Sequence, residues 1–553
     1  MASRKNRRGI AWWALVLLMA VLILWPLVNL EAKMATDTGA FRRALDYPGL
    51  GSALVNTLVL AVGTVVVAVP SGTALAWVAQ RTPPRMRGVV AFLPMVPLML
   101  PPVAKVAGWT YLLSPRTGVI NRLLRETGLF SADTGPIDIY SMTWMIAISG
   151  ITLTSFVYLF VSASLRQRGV ELELAASAFG ANGWQTFRRV TLPLLRPALT
   201  YSTGIVFLLA LGQFTTPLLL GGPRNIEVIS TVMYRVASAP PVDYAMGAVL
   251  AVPLLLFGVL VVAGQRWAIG DERRFVAMSG PGGRVGTRSS WWALIPVALY
   301  LGVAVVLPLA ALIVVSLVPY WSGRIDVASF TFANWDRALS NPTTQEAIAT
   351  TGWAVLFTVV IVVPVGYLCA LALVGRSGAP RLARRGVDLL SSVSLSMPAV
   401  LLGFAFLLTY TEPPFRLYGT TAMVVVAYVS LMVPHAIRPQ LSAMMTVGPE
   451  YAEAARVGGA GPLATAWRVG LPLTRTGIGV AASLVVIMVV HEFAVSLMVT
   501  SPGRRVMGAL LYDATNFGTA PQIAVVALLM VVVSSIGIVA AVLIGGTRSL
   551  ERT

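Results

Sequence analysis

Glu453-Ala-Ala-Arg-Val-Gly-Gly459, then nine residues, then Val469-Gly-Leu-Pro472, is the stretch on which the reading of this chain turns. A related stretch lies upstream. It is Glu173-Leu-Ala-Ala-Ser-Ala-Phe-Gly180, nine residues, then Val190-Thr-Leu-Pro193. Gly180 and Gly459 are 279 positions apart, and so are Pro193 and Pro472. Both stretches are polar islands in an otherwise apolar chain.

Of the 553 residues, 57% are hydrophobic and only 11% are charged. A soluble globular chain carries about 25% charged residues. The composition therefore indicates an integral membrane protein. In lipid every backbone polar group must be satisfied internally, so apolar runs of about 20 residues read as helices. No segment shows the alternation of barrel strands. The net charge of +19 is not a nucleic-acid signature, because of where it sits. With alternate loops assigned to two sides, the side holding Arg4, Lys5, Arg7 and Arg8 has 27 Lys+Arg and 8 Asp+Glu. The other side has 13 of each, and Lys105 and Glu492 lie within apolar runs. This positive-inside bias predicts that both termini are cytoplasmic. The basic faces are expected to rest against anionic lipid headgroups. The lone Cys369 makes no internal disulfide.

Twelve helices are expected, near 11–30, 53–79, 89–113, 141–165, 199–220, 244–266, 291–318, 347–374, 389–410, 421–443, 478–500 and 523–545. The first run is too long for a secretory leader and has no small-residue cleavage site, so it reads as helix 1. Pro94, Pro97, Pro101 and Pro102 are expected to break helix 3, and Pro398 helix 9. Such breaks persist only where protein or a water-filled cavity covers the freed carbonyls. Trp12-Trp13-Ala-Leu15 recurs as Trp291-Trp292-Ala-Leu294, again 279 later. Pro70 and Gly72 match Pro364 and Gly366 at an offset of 294. The plan is thus two six-helix halves, 1–275 and 291–553, joined by a linker at 276–290, expected to be cytoplasmic, that contains Gly280-Pro-Gly-Gly283. Six helices per half make the repeat parallel.

The duplicated loops span 166–197 and 448–475. Ala175-Ala176 and Ala454-Ala455 favour helix, with Glu173 or Glu453 near its start, where the macrodipole favours negative charge. Gly180 or Gly459 then stops or turns it. A second short helix, around 184–189 or 464–468, is expected to end before Leu-Pro. That Pro would set the start of the next membrane helix. The result is a small-residue knuckle suited to docking in another protein's groove.

This pattern resembles the EAA loop of permease subunits of binding-protein-dependent ATP-binding-cassette importers. The second copy fits throughout, at Glu453, Ala454, Ala455, Gly459, Val469, Leu471 and Pro472. The first departs at Leu174, where the Glu belongs, with Glu173 one place early. The resemblance implies an all-α type I importer fold with these loops as coupling helices. It also implies two cytoplasmic ATPase subunits and an extracytoplasmic solute-binding protein. Gly108-Trp-Thr-Tyr-Leu-Leu-Ser-Pro-Arg-Thr-Gly-Val-Ile-Asn121 and His491-Glu-Phe-Ala494 resemble fused ferric-iron-type permeases. Phosphonate, thiamine and polyamine permeases are similar at the first stretch, and thiamine and sulfate/molybdate permeases at the second, so ferric iron is the expected cargo while thiamine, polyamine or phosphonate stay open.

The only lysines are Lys5, Lys33 and Lys105, and none follows a Gly-rich phosphate loop. The chain is therefore expected to be no enzyme and to bind no cofactor, with ATP–Mg on the partner subunits. Glu492 is an ionisable group in mid-membrane, which usually faces a cavity. Its counterpart 279 earlier is Gln213, so the two are expected to line the path or, alternatively, to make a structural bond, with His491 a possible partner. Lys105 attracts cargo, pairs with Glu492, or snorkels to the surface. His435 reads as structural. Two histidines and one cysteine give no His/Cys metal site. An ion-coupled secondary transporter, with Glu492 as its coupling site, is the rival reading.

Overall fold

A computed structural model describes residues 2–128, 133–166, 171–269, 290–375, 379–501 and 503–545. Most of the expected linker, including Gly280-Pro-Gly-Gly283, and loop residues 167–170 lie outside these. Among the described residues the secondary structure is helical, without a strand. Eight helices are long and apolar enough to cross a membrane alone, and twelve do so if each of four bent pairs counts once.

Prolines place the sharpest bends where the sequence puts them. In helix 3, Arg87–Met99 turns 88° into Pro102–Leu113, and in helix 9, Arg381–Leu395 turns 108° into Ala399–Thr411. Pro101 and Pro398 begin the second arms, where a missing N–H is harmless. By contrast Pro70 and Pro364 sit inside unbroken helices, Leu50–Ala79 and Pro342–Val374. The latter starts at Pro342, before the expected 347, because Asn341 caps it by accepting from Thr343 N.

The described residues form two compact units. One holds 1–46, 233–250 and 332–553, and the other holds 47–232 and 251–331. Within the second, helix 2 crosses Met142–Arg166 at Gly72, where an added Cβ would collide with Val157, Thr154 and Tyr158. Within the first, Gly366 of helix 8 meets Ala436 and Gln440 of Thr421–Thr446 in the same way. Small residues let membrane helices approach closely where no hydrophobic force drives them together. Each unit also takes in the first helix of the other sequence half: Trp25–Thr36 lies against Ala399–Thr411, and Leu307–Leu317 against Pro102–Leu113.

Candidate coupling loops and translocation path

In the first loop, Glu171–Ala178 ends at Gly180, whose φ is +82°. Ala181 N donates to Ala176 O at 3.0 Å, the six-residue closure of a Schellman turn. The second loop repeats this. Pro449–Val457 ends at Gly459 with φ +79°, and Ala460 N donates to Ala455 O at 2.9 Å. Because that helix begins at Pro449, Glu450 occupies its first turn and Glu453 its second.

The second arms differ from expectation. They run helically through Leu192-Pro193-Leu194 and Leu471-Pro472-Leu473 rather than ending before them. Each is preceded by a π-turn, Phe187–Thr191 or Ala466–Gly470, in which hydrogen bonds reach five residues back. A wider turn accommodates a residue that has no N–H. The change of direction falls two residues after each Pro: 70° into Arg196–Leu211 and 66° into Arg475–His491.

The loops differ in what holds them. Glu173 is half-buried and its Oε1 accepts from Thr191 Oγ1 at 2.8 Å. The Trp77 ring at the end of helix 2 lies 5.0 Å from that of Phe187, which stacks on Trp184 at 5.6 Å. Arg81 caps this cluster, 3.6 Å over Trp77. Burial lowers the pKa of Arg81, and Glu173 opposes that shift. In the second loop the positions 279 on from Trp184, Phe187 and Thr191 are Leu463, Ala466 and Gly470. Glu453, Ala454 and Gly459 are exposed and Ala455 is half-buried. In the first loop Ala175 and Gly180 are exposed and Ala176 half-buried.

Gln213 and Glu492 occupy matching breaks. Gln213 lies between Arg196–Leu211 and Thr215–Leu220, its Nε2 donating to Ser149 Oγ at 3.1 Å. Glu492 ends Arg475–His491, and its Oε1 accepts from Val495 N at 2.8 Å, capping Ala494–Val499. Both main-chain carbonyls freed at the breaks are taken by a serine, Ser230 or Ser496, each at 2.6 Å. Ser496 in turn shares a 2.6 Å hydrogen bond with Tyr428. His491 bonds Ser534 at 2.8 Å.

Lys105 does not snorkel. It is buried among Leu100, Ala104, Pro308, Leu309 and Leu312, and its Nζ donates to Pro97 O at 3.1 Å. Leu100 N also donates to that carbonyl, at 3.4 Å, so the ammonium is its second donor at the end of the helix arm. His435 is half-buried on helix 10. Among the described residues no three of His, Cys, Asp and Glu gather as a metal site. Sequence reasoning missed Thr191, whose hydroxyl looks like an ordinary loop residue until the loop folds back.

The described residues are thus all-helical, and each sequence half carries a loop of helix, left-handed glycine and second helical arm. The pattern of the family described as "Binding-protein-dependent transport system inner membrane component" matches residues 68–269 and 362–549. The chain belongs to that family, with its domain present twice, and is a fused permease of the type I ABC importers. A ferric transport system permease protein of Actinobacillus pleuropneumoniae is 24% identical over 490 residues, 84% of this chain and 68% of that one. A putative ferric transport system permease protein of Haemophilus influenzae is 23% identical over 467 residues, 78% of this chain and 68% of that one. A probable molybdenum ABC transporter permease protein of Haloferax volcanii is 30% identical over 257 residues, 46% of this chain and 88% of that one.

Proposed function

We propose that this multi-pass inner-membrane permease imports ferric iron, driven by two separate cytoplasmic ATPase subunits that dock on its two loops. The duplicated loop backbone carries the reading: in each copy a helix, a left-handed glycine and a bent second arm lead into a membrane helix. ATP–Mg sits on the partner subunits and none on this chain. An extracytoplasmic solute-binding protein delivers cargo to the segments near 114–140, 221–243, 319–345 and 501–521. Both termini lie in the cytoplasm. ATP binding draws the loops together and opens the path outward, and hydrolysis returns it to inward-facing. Gln213, Glu492 and Lys105 line or brace that path. The ferric assignment draws support from two ferric relatives whose matches each cover more than three quarters of this chain.

The test is reconstitution in vesicles with the ATPases and the binding protein, followed by radioactive ferric iron. Uptake that needs all components and ATP is expected. ATP-independent uptake by the purified chain alone would establish a secondary transporter instead. ATP-dependent uptake of another solute, with none of iron, would overturn the cargo.

A further inference from the structure

Val228-Ile-Ser-Thr-Val-Met-Tyr-Arg235 and Val506-Met-Gly-Ala-Leu-Leu-Tyr-Asp513 are one helix start in two copies, 278 positions apart. Their anchoring fixes the register. Ile229 N donates to Thr57 Oγ1 and Met507 N to Thr351 Oγ1, both at 2.9 Å. Thr57 and Thr351 are themselves related by the 294 offset of Gly72 and Gly366. Tyr234 is therefore the counterpart of Tyr512.

These two counterparts touch. Their rings meet edge to face, with centroids 6.0 Å apart. The side chains of Tyr512, Ser238 and Asp513 all stand close enough to the Tyr234 phenol to act on it. Both residues belong to the same compact unit. On its other side the Tyr512 ring lies 6.1 Å from Phe493, the neighbour of Glu492 at the helix 11 break. Asp513 is ion-paired with Arg505. The tyrosines, Asp513 and Arg505 are all half-buried.

Two histidines and one cysteine leave the chain without a nitrogen- or sulfur-donor site. Small, highly charged cations instead prefer oxygen donors, as iron does with tyrosinate in some haem proteins. We propose that Tyr234, Tyr512 and Asp513 form a transit site for a hard trivalent cation, next to the Glu492 break. This rests on the ferric reading above. On arrival each phenol gives its proton to water, and Asp513 exchanges Arg505 for the metal. On departure the protons and the ion pair return. No electron moves.

The experiment uses the full chain in lipid nanodiscs, titrated with ferric nitrilotriacetate and followed by visible absorption. Iron bound by phenolate has a ligand-to-metal charge-transfer band that iron on carboxylates or lipid lacks. The wild type should acquire this band. Tyr234→Phe and Tyr512→Phe should each lower it by half or more, and the double variant should abolish it. Asp513→Asn should keep the band but need about tenfold more iron, the loss typical of a weakened ligand set. Phenylalanine preserves the ring contact, and size-exclusion profiles check folding. Absence of the band in the wild type, or an undiminished band in the double variant, refutes the site and leaves the pair as packing. Iron uptake by the complete transporter is measured in parallel. Uptake of iron without the band removes this site only, whereas uptake of a different solute removes the cargo reading.

Discussion

Thr191 Oγ1 donates to Glu173 Oε1 across 2.8 Å, and this bond ties the acidic residue of the first loop to the loop's own second arm. The second loop has Gly470 at the position of Thr191, and its Glu453 is exposed. One glutamate braces and the other is presented. Under the proposed coupling, Glu453→Gln should lower ATP-driven uptake about tenfold, the size of one charge-assisted contact. Glu173→Gln should lower it less, and Thr191→Val should mimic it. Equal losses at Glu173 and Glu453 would count against the asymmetry.

Gly459 has φ +79° and no neighbour within 4 Å of an added Cβ, so any penalty there is backbone strain alone. A β-branched residue in this region costs about 1–2 kcal/mol, whereas Asn tolerates it. Gly459→Val should uncouple hydrolysis from uptake, and Gly459→Asn should restore much of the coupling. The ratio of ATP hydrolysed to cargo moved is the readout. An unchanged ratio in the Val variant would end the coupling role.

Lys105→Met leaves the buried Pro97 carbonyl without its ammonium donor, a loss of about 1–3 kcal/mol. Thermal unfolding in detergent should shift downward. If uptake per folded molecule stays at the wild-type level, Lys105 is a brace and not a cargo contact.

Glu492 both caps a helix and sits at a break on which a path role is proposed. The two roles separate by substitution. Glu492→Gln keeps an oxygen for Val495 N, so the fold should hold while cargo transfer slows. Glu492→Ala should also lose about 1 kcal/mol of stability. Normal transport by the Gln variant would restrict Glu492 to capping.

Arg43 bridges Asp37 at 2.7 Å and Asp243 at 2.7 Å. Its hydrogen bonds hold both carboxylates below the usual range. Depressed carboxylates stabilise the fold above their unfolded pKa of about 3.9, and that contribution vanishes as pH falls through the folded value. The groups are largely solvent-accessible, so the effect is small. Arg43→Gln should lower the melting temperature slightly at pH 7, and the gap should close as pH falls through the lowered values of Asp37 and Asp243. A gap that persists at low pH would rule out the ionic origin.

The sequence alone determined the membrane class, a span count that the bent pairs bring to as many as twelve, the two-fold repeat, the proline breaks at 101 and 398 and the paired loops. Those features are one-dimensional: run length, charge bias and motif spacing survive without knowing which side chains face each other. Tertiary structure decided the rest. It made Lys105, one of whose readings was a snorkelling side chain, a buried second donor to the Pro97 carbonyl across the 88° bend. It carried helical geometry through Pro193 and Pro472, because a π-turn absorbs the missing N–H. It brought Tyr234 onto Tyr512 and Thr191 onto Glu173, contacts set by how separate segments fold back. The distances between such segments are not encoded in spacing, so the duplicated loops were legible in the sequence while what braces the first of them was not.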